Sequence, residues 1–340
     1  MRQMQVTSED LEMRVFMAKK SIWFPIIMAL FMYLPAGAGF GGGRTWASEE
    51  KRTLKVALLP ILDSLPFYVA EAKGYLSRGG YTIKAVPVAS GLERDQLMQA
   101  GEIDAMLNEM TSTAMFNRKG VQVRILGVAR KAYERFPMFR VVAAPGSGIR
   151  SPGDLAGVPI AVSMNTIIEY VTDRLLVGKG LSTGDIVKRS VPVIPERYQL
   201  LMQGRLKAAT LPDPLGISAL RAGALPVIDD SSCPDCSVSV LTFSMRAIRE
   251  KPEAIRHFLA AWDLAAGEIN SNPETYRSLL LKKIRVPRNV QEDYPVPPFP
   301  RSSVPAGEQW LDVMDWMIEK GLIEQALPYE ESVSRRFLPR

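Results

Sequence analysis

The sequence predicts an α/β protein of two like-built lobes, on two observations. From Leu54 onward, short apolar runs alternate with helix-like stretches of about ten residues, the pattern of strands and helices layered on a sheet. Two passages also echo one another. Lys55–Lys73 and Val158–Lys179 share the order strand, polar turn, helix, and Leu97-Met98-Gln99-Ala100-Gly101-Glu102-Ile103 reads like Leu201-Met202-Gln203-Gly204-Arg205-Leu206. With 340 residues, 47% hydrophobic and 23% charged, the chain can bury two sizeable cores.

Before these units comes a leader. Lys19-Lys20 precede an apolar run from Ile22 to Leu34, then the small residues Ala36-Gly37-Ala38. That order matches a secretory signal, and the run is short for a membrane span. Met13 or Met17 is a candidate start, Ala38 or Ala47 a candidate cleavage point, and an uncleaved anchor is the alternative. Residues 1–47 are therefore assigned to signal peptide and linker, and the folded part to the outside of the cytoplasm.

The first unit opens with Leu54 to Leu59 as a strand and breaks at Pro60. It resumes as a helix after Asp63-Ser64, either of which can N-cap, with Pro66 in the tolerated first turn and Gly74 as the stop. Tyr81–Val88 is a second strand. Ser90-Gly91 opens a helix stopped by Gly101, and Ile103–Leu107 is a strand ending at Asn108-Glu109-Met110-Thr111. Val121–Ala129 is a strand with Arg130 just beyond it, and Phe139–Ala144 is another, broken by Pro145-Gly146-Ser147-Gly148. A second series follows: strand Val158–Val162, polar Ser163-Met164-Asn165-Thr166, helix Ile167–Val177, strand Val191–Ile194, helix Glu196–Gln203, and strand Leu206–Leu211 ending at Pro212-Asp213-Pro214. Val238–Ser244 returns as a strand. Ile255, Phe258, Leu259, Trp262 and Ile269 mark a long helix with one core face, and Trp310, Leu311, Met314 and Ile318 mark another. Tyr294 to Pro300 is Pro-rich and extended.

Catalytic chemistry is sparse. His257 is the single histidine, and no phosphate-binding loop or dinucleotide fingerprint is present, so no cofactor is assigned. Cys233 and Cys236, spaced C-P-D-C, suit one small-loop disulfide in an exported chain. A redox pair would want a helix start, and a metal site would want more ligands. The net charge of +6 comes without a basic block interleaved with aromatics, so nucleic acid is not an expected partner. Scarcity of catalytic groups fits binding better than turnover.

An ordered set of segments carries a family resemblance: KVALLPILDSLPFYVAEAKGYL, the Ser90-Gly91 helix, QAGEIDAMLNE, SPGDLAGVPIAVS, REKPEAIRHFLAAW and NSNPETY. Over roughly Leu54 to Leu327 the chain resembles the NMT1/THI5-like group, solute-binding proteins of ABC importers with the type II periplasmic-binding fold. The resemblance implies two lobes, each a mixed sheet flanked by helices, joined by two crossover hinge strands near Val141–Pro145 and Ser237–Thr242. Residues 48–143 would form the first part of lobe I, 144–236 lobe II, and 237–340 the return strand and carboxyl-terminal helices of lobe I. A small molecule would lie in the cleft. Leu62, Asp63, Ser64, Ser90, Gly91, Asn108, Glu109, Thr111 and Arg130 would line one wall; Ser163, Asn165, Thr166 and Asp213 would line the other. The implied partners are an ABC permease with its ATPase, and the expected state is a monomer. Carboxylates on the walls favour a donor-rich ring such as an aminopyrimidine, whereas Arg130 and the helix starts favour a sulfonate or aromatic carboxylate. An enzyme of pyrimidine or menaquinone-precursor synthesis on the same fold is the rival reading.

Overall fold

In the computed structural model, residues 52–339 are described, and the predicted signal peptide and linker lie outside them. Two five-stranded sheets share one design. The first takes β1 (Thr53–Leu58), β2 (Thr82–Pro87), β3 (Ala105–Glu109), β4 (Val123–Lys131) and β10 (Val238–Ser244) in the order β2-β1-β3-β10-β4. The second takes β5 (Phe139–Ala143), β6 (Ile160–Val162), β7 (Lys188–Ser190), β8 (Ala208–Pro212) and β9 (Leu225–Asp229) in the order β7-β6-β8-β5-β9. In each sheet the strand in fourth place runs antiparallel to its partners. β10 does so against β3 and β4, and β5 against β8 and β9. The near-continuous apolar character of β1, β3 and β5 follows from cover on both faces.

Helices complete both lobes. In lobe I, α1 (Leu65–Ala72) and the long α8 (Pro252–Ser271) pack on the first sheet, with Ile255, Phe258, Leu259, Trp262 and Ile269 in one core. Around them lie α2 (Gly91–Gln99), α3 (Met110–Asn117), α7 (Met245–Glu250) and α9 (Arg277–Lys283). Lobe II carries α4 (Ile167–Val177), α5 (Ile194–Met202) and α6 (Leu215–Arg221). Gly101 and Gly204 end their helices at φ +72° and +70°, a conformation that a side chain would strain. No described helix is long and apolar enough to cross a membrane.

Three expectations need correction. The lobes do not part at residue 143, because β5 pairs wholly within the second sheet. The break at Pro145-Gly146 merely ends that strand. The chain crosses earlier, through residues 132–138, and returns through 230–237 rather than through β10 itself. The third concerns α10 (Gly307–Glu319), which is not confined to lobe I. It buries Trp310, Val313, Met314, Trp316 and Met317, while Leu311 and Ile318 are exposed. Trp316 Nε1 donates to Asp173 Oδ2 (2.9 Å) and Lys320 Nζ to Glu169 Oε1 (2.6 Å), both acceptors on α4 of lobe II. The same apolar cluster includes Met110 and Ala114 of α3 in lobe I.

The crossovers are fastened together. Both carboxylate oxygens of buried Asp230 accept backbone N–H groups where the other crossover runs into β5, from Met138 (2.9 Å) and Phe139 (3.0 Å). Cys233 and Cys236 form a disulfide within the second crossover.

Candidate functional site

Topology decides which sheet edges face each other. β1, β3 and β4 run parallel, so their carboxyl ends share an edge with the start of β10. β6 and β8 end at the edge where β5 begins and β9 stops. The crossovers connect the end of β4 to the start of β5, and the end of β9 to the start of β10. They therefore hold these two edges against a common cleft, the place where open α/β sheets take ligands.

On the lobe I edge, the turn after β1 folds on itself as Ser64 Oγ donates to Leu59 O (2.8 Å). Neither Asp63 nor Ser64 caps α1. Asp63 instead accepts from Ser239 Oγ at the start of β10 (2.6 Å) and from Arg130 Nη1 (3.4 Å). Arg130 is 3% exposed; its Nη2 reaches Pro137 O only at 3.4 Å, and its Nε has no partner. Leu62 lies in the lobe core, and Ile61 is the residue of this turn that is exposed. Glu109 pairs with Arg94 (3.5 Å). Burial pushes the Glu109 carboxyl up, against the pull of Arg94.

Several expected wall residues have internal duties. Asn108 is fully buried, donating to Thr113 Oγ1 (3.0 Å) and accepting from Thr242 Oγ1 (2.6 Å), which ties β3 to α3 and β10. Thr111 is buried in the first turn of α3. Ser90 caps α2 by accepting from Glu93 N (3.2 Å), while Glu93 accepts from Ala89 N (2.7 Å). The guanidinium of Arg94 passes beside Gly91, where a Cβ would stand 3.5 Å from Nη2.

On the lobe II edge, Asp213 is gripped by Arg140 through two bonds of 2.9 and 3.0 Å and by Ile217 N (3.1 Å). Burial pushes its carboxyl up and Arg140 pulls it down. Arg140 also donates to Asp229 (3.2 Å). Thr166 caps α4, accepting from Ile168 N (3.2 Å) and donating to Ser163 O (2.8 Å). Asn165 adopts φ +60° and donates its N–H to Glu169 (2.6 Å). Ser163 Oγ donates to Pro192 O (3.3 Å) and accepts from Arg197.

A third element enters the cleft. Arg285 N donates to Pro60 O (3.3 Å), and Asn289 exchanges two hydrogen bonds with Ser218 of α6 (2.8 and 3.0 Å). The segment from 284 to 300 thus straps lobe I to lobe II. It carries Tyr294, 4% exposed, into the joint field of Arg130 and Asp63 from one lobe and Asp213 and Arg140 from the other. Burial pushes the Tyr294 phenol up. The structure therefore brings Asp63, Arg130 and Asp213 together and gives Ser90, Asn108 and Thr166 local structural bonds. Sequence reading missed Arg94, Arg140, Arg197, Ser239 and Tyr294. Only Arg94 and Arg197 carry a sequence signal, the shared order Glu-Arg-x-Gln-Leu beside the echoing segments. A hollow of about 300 Å³ beside Arg140 and Asp229 is lined by lobe II residues and Ser232 of the second crossover, with none from lobe I, so it is not the shared cleft.

Two lobes of identical sheet order, hinged by paired crossovers and facing each other with charged edges, define a periplasmic-binding-type architecture. The chain belongs to the NMT1/THI5-like family, whose model matches residues 62–276. No curated protein sequence matches the chain. Among solved structures it is similar to the periplasmic aliphatic sulphonate binding protein SsuA from Escherichia coli, at 19% identity, with a TM-score of 0.70, covering 83% of this chain and 92% of that one. It is also similar to the alkanesulfonate-binding protein SsuA from Xanthomonas axonopodis pv. citri bound to MOPS, at 16% identity and a TM-score of 0.68, covering 83% and 98%. The desulfurization enzyme DSZB matches at 17% identity and a TM-score of 0.62, covering 84% and 97%.

Proposed function

We propose that this is an extracytoplasmic solute-binding protein that captures a small organic molecule between its lobes and delivers it, as a monomer, to the permease and ATPase of an ABC importer. One observation supports this most: Arg130, buried at the cleft edge, keeps an unpartnered Nε and two long contacts of 3.4 Å. A buried donor without a partner is costly, and an acceptor arriving in the cleft would satisfy it. A ligand touching both edges also supplies what a hinge needs, namely better binding when the lobes meet.

The carboxylates favouring an aminopyrimidine are already spent. Asp63, Glu109 and Asp213 each pair with an arginine. The reading therefore moves to a ligand that presents acceptors, of the aromatic carboxylate or sulfonate kind. Since the fold also hosts a desulfurization enzyme, fold alone does not separate binding from turnover. The candidate nucleophiles and bases weigh for binding. Both cysteines are in the disulfide, and His257 bonds Leu76 O (3.1 Å) and stacks on Tyr81.

The test is native mass spectrometry of protein recovered from its own compartment, followed by small-angle scattering with the retained compound. A retained small molecule that compacts the protein is the expected result. Conversion of that compound to a product, or scattering unchanged by every retained compound, would overturn the reading.

A further inference from the structure

The lobes repeat one local device with one difference. Glu93-Arg94-Asp95-Gln96-Leu97 of α2 has its counterpart in Glu196-Arg197-Tyr198-Gln199-Leu200 of α5. Both arginines are buried, 3% and 0% exposed. Each sends Nη1 to the third carbonyl of a five-residue strand, Leu107 O of β3 (3.1 Å) and Thr210 O of β8 (2.7 Å). Each sends Nη2 to a serine hydroxyl, Ser112 in lobe I and Ser163 in lobe II.

The charges differ. Arg94 is neutralised by Asp95 (2.8 Å) and Glu109 (3.5 Å). In lobe II a tyrosine stands at the first of these places. Pro212, the last residue of β8, stands at the second, as Glu109 is the last of β3. Arg197 Nε turns to Val191 O instead (2.9 Å), and no described carboxylate pairs with it. Burial pulls Arg197 down to about 10, which leaves it charged at neutral pH. The lobe II wall thus contains a buried cation held by dipoles alone, with Ser163, at the cleft end of β6, beside it. A buried charge without a counter-ion is unfavourable, and an anion in the cleft would supply one.

We propose that Ser163, positioned by Arg197, is an oxyanion subsite of lobe II that takes a carboxylate, sulfonate or sulfate group of the ligand. The proposal rests on the reading of the interlobe cleft as the ligand site. Arg197 fills one lone pair of Ser163 Oγ, and the long 3.3 Å bond to Pro192 O leaves the hydroxyl proton free to turn toward the anion. Arg197 acts through Ser163 and through its field; Ser163 makes the contact. The other acceptor-bearing end of the ligand would then face Arg130.

Thermal unfolding in sodium sulfate against sodium chloride at matched ionic strength tests it, with calorimetric titration of methanesulfonate and benzoate. The native protein should gain a saturable rise in Tm with sulfate and release heat with at least one organic anion. Ser163→Ala should weaken that binding tenfold or more. Pro212→Glu, which rebuilds the ion pair of lobe I, should raise Tm in chloride and remove the sulfate response. Indifference of the native protein to all three anions would overturn the subsite, as would an unchanged anion response in Ser163→Ala. That second variant keeps the test decisive if Pro212→Glu fails to fold. A neutral molecule retained in native mass spectrometry would also overturn the subsite while leaving the binding function standing.

Discussion

The residue that best shows local chemistry setting behaviour is Asp230. It bridges the crossovers with both oxygens, and burial pushes it up to about 6 despite those two bonds and the field of Arg130. Its folded value lies above the unfolded one, near 4. Between those values the native state keeps a proton that the unfolded chain has released. The associated stability is full below about pH 4 and is lost as pH rises through 6. Urea unfolding should show the native protein losing about 2–3 kcal/mol relative to Asp230→Asn between pH 4 and 7. Parallel profiles would exclude Asp230 as the source. This site was not legible in the sequence, because its partners are backbone groups ninety positions away. Asp213 is similar. It reads as a wall acid between two prolines, yet its meaning comes from Arg140, distant in sequence and adjacent in space.

At the scale of elements much more could be read. Glycine stops, cap residues and apolar runs located β1 to β3, β5, β6, β8 and α8, since each signal is local, whereas the strand expected at Val191–Ile194 lies earlier, as β7 at Lys188–Ser190, and Ile194 already opens α5. The failures are also local in origin. β9 carries Pro226, which demotes a strand on sequence grounds; the structure puts it at a sheet edge, where a missing N–H is tolerated. Leu311 and Ile318 fall outside the buried face of α10, whose stripe is completed by Val313 and Met317. Capping of α4 gives a test at this scale. Thr166→Ala frees Ile168 N and should cost about 1 kcal/mol in urea unfolding. A change of only a few tenths would mean that the first turn finds its acceptor elsewhere.

Across the whole molecule, lobe motion is governed by more than the crossovers. The strap from 284 to 300 is bonded to α6 through Asn289 and Arg221 (3.0 Å to Asn289 O) and to lobe I through Arg285. Any opening of the cleft must break or carry these bonds, along with the packing of Tyr294. Asn289→Ala removes two of them. Amide exchange over residues 285–294 should then quicken about tenfold, the equivalent of ~1.4 kcal/mol. Unchanged protection would show that the strap belongs to lobe I alone. A proline-rich run reads as extended chain in the sequence; nothing in its composition announces that it bridges two lobes.

The placement of α10 bears on how the molecule comes to be made. Glu169 of α4 is sealed from water, and its closest cation, Lys320, lies just beyond α10; Asp173, already held by Lys188 within lobe II, gains a further donor in Trp316. β10, an inner strand of the first sheet, follows all of lobe II in the chain. Neither half can therefore finish its packing while the last residues remain on the ribosome. α10 acts as a closing bolt, late in the chain and shared by both lobes.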